Sequence, residues 1–181
     1  MRLAIFTVVG LLSMCTSARA QDSRAAVSAV TGGARTYDDE GSLGSGWLAG
    51  AAADYVLFGT TRLQGSLEYV SHHRDIEYFG STGGTTIAGI SLVHRFGRQR
   101  VQPYVLAGLT VGHHSGTNRF SSGSTKITST DKGMRFGAGI AVRAGTRFEI
   151  SPEFRFDGFY IDRDSDPAML PSFAVRFGLR L

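Results

Sequence analysis

The chain has 181 residues, with 24 glycines, one cysteine, and 19 Lys and Arg against 15 Asp and Glu. This length suits a single domain, and glycine stands near twice its ordinary level of roughly 7%. The lone Cys15 excludes a disulfide framework and cysteine-based zinc sites. The cations are scattered among apolar residues, which excludes a nucleic-acid-binding surface.

The first twenty residues read as a segment apart. Arg2 is followed by an apolar run over 3–14 and then by Thr16, Ser17, Ala18, Arg19 and Ala20. A cationic start, a short apolar core and an Ala-x-Ala site describe a secretory signal peptide, cut after Ala20. The run is too short for a transmembrane helix, which needs about 20 apolar residues. Met14 before Cys15 argues against lipidation. The expected domains are therefore a signal peptide over 1–20 and a barrel over 21–181. The mature chain loses Arg2 and Arg19 but no acid, leaving 17 cations against 15 anions, net +2.

From there, segments with a two-residue period follow one another, and side chains alternate faces along a strand. The first, 24–36, sets Ala25, Val27 and Ala29 against Ser28 and Val30. The second, 46–57, carries Trp47, Ala49, Ala51, Ala53, Tyr55 and Leu57 on one parity and Asp54 on the other. In the third, 62–72, Leu63, Gly65, Leu67 and Tyr69 oppose Arg62, Gln64, Ser66 and Glu68. The fourth, 85–96, is ambiguous, because Ile87 and Val93 oppose Ile90 and Leu92; Ala88, Ile90, Leu92 and Phe96 are assigned outward, Ser91 and Arg95 inward. The fifth, 101–112, groups Val101, Val105, Leu109 and Val111, with Pro103 near its start. The sixth, 132–143, opposes Met134, Phe136, Ala138, Ile140 and Val142 to Arg135, Gly137, Gly139 and Arg143. The seventh, 147–161, opposes Phe148, Ile150, Phe154, Phe156 and Tyr160 to Glu149, Ser151, Glu153, Arg155 and Asp157. The last, 171–181, alternates Phe173, Val175, Phe177, Leu179 and Leu181 with Ser172, Ala174, Arg176, Gly178 and Arg180.

The connections alternate too. Residues 58–61, 97–100 and 144–146 are tight turns, whereas 37–45, 73–84, 113–131 and 162–170 are long and rich in Gly, Ser, Thr and Asp. This pattern predicts an all-β fold, an eight-stranded antiparallel up-and-down transmembrane β-barrel with both termini at the short-turn, periplasmic end. In lipid every backbone donor and acceptor must be paired, so strands cross only as a closed barrel. The apolar parity then faces lipid, with Tyr55, Phe58, Phe96, Phe148, Tyr160, Phe173 and Phe177 as interfacial girdles. The polar parity fills the narrow lumen, where Arg62, Glu68, Arg135, Arg143, Glu149, Glu153, Arg155 and Arg176 are expected to form an ion network. A soluble periplasmic lipocalin-like barrel binding an apolar ligand is an alternative; it has the same alternation with the faces reversed.

The chain resembles the small outer-membrane β-barrels of the OmpA/OmpX type. The resemblance covers essentially all of the mature sequence and is carried best by 135–143 (RFGAGIAVR) and 149–156 (EISPEFRF), a glycine-rich strand followed by an Arg/Glu strand. The C-terminus departs from the usual terminal Phe, since it ends on Leu181 with Gly178 close by. The resemblance implies location in a Gram-negative outer membrane, contact with its lipid and lipopolysaccharide, and recognition of the C-terminal strand by the barrel-assembly machinery. It implies no activity, because function lies in sites rather than folds.

Few constellations carry chemistry. His113-His114-Ser115 resembles the His-x-Ser element of outer-membrane lipid A 3-O-deacylases, with His113 as base and Ser115 as nucleophile. The Asn expected after the serine is Gly116, and no Glu follows before Glu149; Asp131 is the candidate orienting acid. His72, His73, His113 and His114 are placed at the extracellular strand ends, where a metal would require three or four imidazoles to converge. His94 is placed alone at the periplasmic interface. Glu149 and Glu153 could do acid–base work only with substrate access. Asp162, Asp164 and Asp166 lack the glycine and the downstream Glu of a calcium loop. The expectation is a monomeric, non-enzymatic barrel with a structural or surface-interaction role. It has no cofactor, no metal and no nucleic-acid partner, a lumen too full to conduct, and an unidentified extracellular ligand. Lipid A 3-O-deacylation by His113 and Ser115 is the enzymatic alternative.

Overall fold

The computed structural model describes residues 24–38, 41–76, 79–97, 99–120, 123–160 and 168–181. The proposed signal peptide, Cys15 and the Asp162–Asp164–Asp166 run lie outside them. Eight strands follow in chain order: β1 (Ala25–Asp38), β2 (Gly41–Phe58), β3 (Thr61–Ile76), β4 (Phe79–Arg95), β5 (Val101–Phe120), β6 (Gly123–Ala144), β7 (Phe148–Tyr160) and β8 (Ala168–Arg180). Each pairs antiparallel with its sequence neighbours, and β8 closes on β1 from Ala26↔Arg180 to Tyr37↔Met169, making a closed barrel. The last amide joins the seam, with Leu181 N donating to Ala25 O at 2.9 Å. In the three short turns, Gly59, Gly97 and Gly145 take left-handed φ of 55°, 79° and 77°. An L side chain is strained there, and glycine is not.

The faces are inverted relative to a soluble protein. Leu67, Ile90, Leu109, Phe136, Phe173 and many other large apolar side chains are more than half exposed, while Arg135, Arg155, Glu68 and Glu153 are buried. So much contiguous apolar surface is a lipid contact, not a water contact. The lipocalin-like alternative needs apolar residues inside and polar ones outside, and the observed faces rule it out. Fourth-segment parity is as assigned: Ala88, Ile90, Leu92 and Phe96 point out, whereas Ser91 and Arg95 point in. Trp47 and Tyr69 meet at 5.5 Å at one end of the lipid-facing band, and Tyr55, Phe58, Phe96 and Phe148 mark the other.

The long loops are a correction. β5 runs to Phe120 and β6 starts at Gly123, in unbroken register from Val101↔Val142 to Phe120↔Gly123. β3 and β4 likewise pair out to Ile76↔Phe79. Beyond the lipid neither face has to be apolar, so the two-residue signal disappears while the ladder of β-branched and polar residues continues.

Candidate functional sites: the lumen and the outward His113–Ser115 face

Inward side chains fill the lumen in storeys. At the short-turn end Arg95 grips Glu149 with two bonds, Nη1 to Oε2 at 2.6 Å and Nη2 to Oε1 at 2.7 Å. Ser151 Oγ adds a bond to Glu149 at 3.3 Å, and Gln102 Oε1 accepts from Arg143 Nη2 at 3.4 Å. One step up, Tyr104 OH donates to Glu153 at 2.7 Å, Arg176 Nε lies 3.1 Å from Glu153, and the Arg176 guanidinium sits over the Tyr104 ring. Asp54 accepts from Gln64 at 2.9 Å and lies 3.8 Å from Arg176.

Above them Arg135 bridges the barrel. Its Nε donates to Asp157 at 2.6 Å, its Nη1 to Ser66 at 2.9 Å, and both Nη atoms to Glu68 at 3.2 Å, while Arg155 reaches Glu68 at 2.7 Å. Bidentate guanidinium–carboxylate geometry of this kind is the strong form of a charged hydrogen bond. Glycines make the room: a Cβ on Gly139 would enter the Tyr104 ring, and one on Gly137 would crowd Arg155.

The storey above is apolar. Leu48, Val70, Ile87, Phe159 and Leu170 meet with Val30, Ala34, Ala52 and Ala174 in one buried cluster. Over this layer a hydrogen-bonded chain crosses the mouth. Thr36 Oγ1 is bonded with His72 Nδ1 at 2.9 Å, and Thr85 Oγ1 with both His72 Nε2 and His114 Nδ1 at 2.7 Å. His114 Nε2 faces Asp131 Oδ2 at 3.4 Å, and Ser129 Oγ donates to that oxygen at 2.9 Å.

The eight network residues named from sequence all belong to inward parities, but they do not act alike. Arg62 points inward and has no carboxylate within ion-pair distance among the described residues, because Arg95 occupies both oxygens of Glu149. Sequence reasoning placed Arg95 inward but left it out of the network. Nothing in the alternation tells which of two inward arginines will win one glutamate.

His113 and Ser115 both point outward from β5 and share a cleft of about 440 Å³ with Tyr69, Thr82, Gly83, Gly84 and Thr86. Asp131 cannot orient His113, since it is buried on the lumen side of β6 and engaged by His114 and Ser129. The partner of His113 Nδ1 is Thr130 Oγ1 at 2.8 Å, a hydroxyl where a triad needs a carboxylate. Glu149 lies at the other end of the barrel. The paired histidines also diverge: His72 and His114 turn inward and meet at Thr85, while His73 and His113 point out. Among the described residues no three His, Cys, Asp or Glu converge on a metal position. His94 is bonded with Thr61 at 3.0 Å and packs edge-on against Phe96, at the short-turn interface.

A closed eight-stranded barrel with a lipid-facing exterior and a lumen filled by side chains defines a class, the small transmembrane barrels. The outer membrane protein beta-barrel domain family matches over residues 4–177, and the chain belongs to that family. Neisserial surface protein A (NspA) has a similar structure, with 15% identity and a TM-score of 0.68 over 88% of this chain and 98% of that one. Ail, the attachment invasion locus protein of Yersinia pestis, gives 14% identity and 0.60 over 87% and 97%. The outer membrane enzyme PagL gives 18% and 0.51 over 86% and 99%. At these identities the likeness is one of fold. No curated protein matches the sequence. The protein is an outer-membrane barrel of the Gram-negative envelope.

Proposed function

We propose that this barrel is a non-enzymatic, non-conducting envelope protein with a structural and surface-interaction role. The observation that carries this reading is the filled lumen. Arg135 ties β6 to Glu68 on β3 and Asp157 on β7, and the Leu48–Val70–Ile87–Phe159–Leu170 layer lies above it. Such a lumen leaves no continuous water path for solutes and holds distant strands together. The mature protein is a monomer that follows cleavage after Ala20, contacts outer-membrane lipid and lipopolysaccharide, and is recognised through β8 by the barrel-assembly machinery. The tall β5–β6 hairpin, mostly polar beyond the lipid-facing band, is the surface offered to an extracellular ligand. The test is single-channel recording in planar bilayers. No resolved conductance steps are expected from the folded protein, and stable steps overturn the reading.

Lipid A 3-O-deacylation is the second reading, favoured by one observation: His113 and Ser115 share an outward cleft at the outer end of the lipid-facing band. Thr130 in place of an acid weighs against it. Mass spectrometry of lipid A from expressing cells, beside Ser115→Ala, separates the two. Unchanged lipid A is expected; loss of an acyl chain that depends on Ser115 makes the protein an enzyme.

A further inference from the structure

The outward cleft at His113 and Ser115 has a chemistry of its own, apart from catalysis. On the outer face of β3, β4 and β5 the row Leu67↔Ala88↔Val111 is apolar. The next row toward the tall hairpins is Tyr69↔Thr86↔His113↔Thr130, and the one after it is Ser71↔Gly84↔Ser115↔Thr128. The surface turns from lipid-facing to hydroxyl-rich within one step of the ladder, and the cleft lies at that step. One wall is aromatic: Tyr69 leans across β4 onto the bare backbone of Gly84, where a Cβ would overlap the phenol. Trp47 backs the ring at 5.5 Å, and Tyr69 stays 41% exposed. Across β4 stand Ser115 and His113, whose Nδ1 is taken by Thr130 Oγ1 at 2.8 Å and whose Nε2 is left for a ligand. Thr82 and Thr86 complete the rim, and the lining contains no Lys, Arg, Asp or Glu. A volume of about 440 Å³ is that of a small-ligand site, which spans roughly 300–1,000 Å³.

We propose that this cleft binds a saccharide, with a pyranose ring stacked on Tyr69 and its hydroxyls bonded by Thr82, Thr86, His113 and Ser115. A pyranose presents an apolar C–H face and a rim of groups that both donate and accept. Tyr69 meets the first with an aromatic face, and three hydroxyls and an imidazole meet the second with groups that also donate and accept. A phosphate or carboxylate would find no cation in the lining, and a bare acyl chain would cover five polar side chains without bonding them. The sugar can be the headgroup of an outer-leaflet glycolipid, its chains running down past Ala88 and Val111, or part of a glycan outside the cell; the chemistry recognised is the same. Binding needs no triad acid, so the Thr130 that weighs against deacylation serves here by fixing the His113 ring. This site rests on the surface-interaction reading above and supplies its ligand class.

The barrel is refolded in lauryldimethylamine oxide, a detergent without sugar, and its amide NMR spectrum is followed on titration with maltose, N,N′-diacetylchitobiose and decyl maltoside. Saturable shifts are expected, centred on Tyr69, Thr86, His113 and Ser115, with a change in the emission of Trp47, the chain's only tryptophan. Saturation by a free disaccharide identifies a free-glycan site; saturation by decyl maltoside alone identifies a glycolipid-headgroup site. Tyr69→Ala/His113→Ala, shown to be folded by the boiling-dependent gel shift, is expected to bind about tenfold more weakly. A measurement on the unaltered protein guards against variants that fail to fold: dodecyl octaethylene glycol ether, a chain without a sugar, is expected to leave these amides unshifted. No saturable shift with any of the three probes, shifts centred elsewhere, equal affinity in the double variant, or an equal response to the sugar-free ether overturns the proposal. A barrel that is silent in bilayers and binds no saccharide loses this site and keeps its surface-interaction role.

Discussion

The lumen holds two kinds of filling on the same inward parity. Below, Arg135, Glu68, Asp157 and Arg155 cross the barrel as a bonded ion cluster; above, Leu48, Val70, Ile87, Phe159 and Leu170 close it as an oil-like plug. The ion cluster is directional and fails when one member is lost, because the remaining charge stays buried. The apolar layer is non-directional and fails in proportion to the volume removed. Both fill the lumen, and the difference between them is what single substitutions can expose.

The largest effect is expected from Arg135→Ala, which leaves Asp157 without its bonded partner and strips Glu68 of one of two. A loss of about 3–5 kcal/mol is expected in urea unfolding of the refolded barrel. A loss below about 1 kcal/mol would show that water already solvates the cluster. In the apolar layer, Leu48→Ala should cost about 2–5 kcal/mol by the same measurement, with the value tracking how far the neighbours collapse. Tyr104→Phe deletes the hydroxyl bonded to Glu153 while keeping the ring under Arg176, and about 1–3 kcal/mol is expected. The smallest effect belongs outside the membrane: Ile127→Ser, on the exposed β6 arm, should stay within about 0.5 kcal/mol. A larger change there would mean that the hairpin is packed against something.

The legibility of the sequence follows the contrast between the two solvents of each strand. Where one face met lipid and the other a charged lumen, as in 62–72 and 147–161, alternation revealed strand, face and fold. The apolar layer left a trace that alternation could not interpret. Ile87 and Val93 on the inward parity made the fourth segment ambiguous because both are buried inside the barrel, not because the strand is irregular. Above the membrane both faces meet water, so 113–131 read as a loop although 113–120 and 123–131 are paired in register. The sites were legible only to the level of parity. Alternation put Arg62 and Arg95 in one lumen, but the choice of Glu149 between them depends on strand stagger. It put His113 and Ser115 on one face, and the same rule excludes Asp131 from that face, since it has the opposite parity to its bonded neighbour Thr130.

Thr85 has one hydroxyl proton and two imidazole nitrogens within 2.7 Å. It can donate to only one of the two rings and must accept an N–H from the other, so the tautomers of His72 and His114 are coupled. If Thr85 donates to His114 Nδ1, His72 carries its proton on Nε2 and its Nδ1 accepts from Thr36; in the reverse sense His114 carries its proton on Nδ1 and His72 donates from Nδ1 to Thr36. One hydroxyl proton on β4 thereby sets the tautomer of two rings and the direction of the hydroxyl on β1.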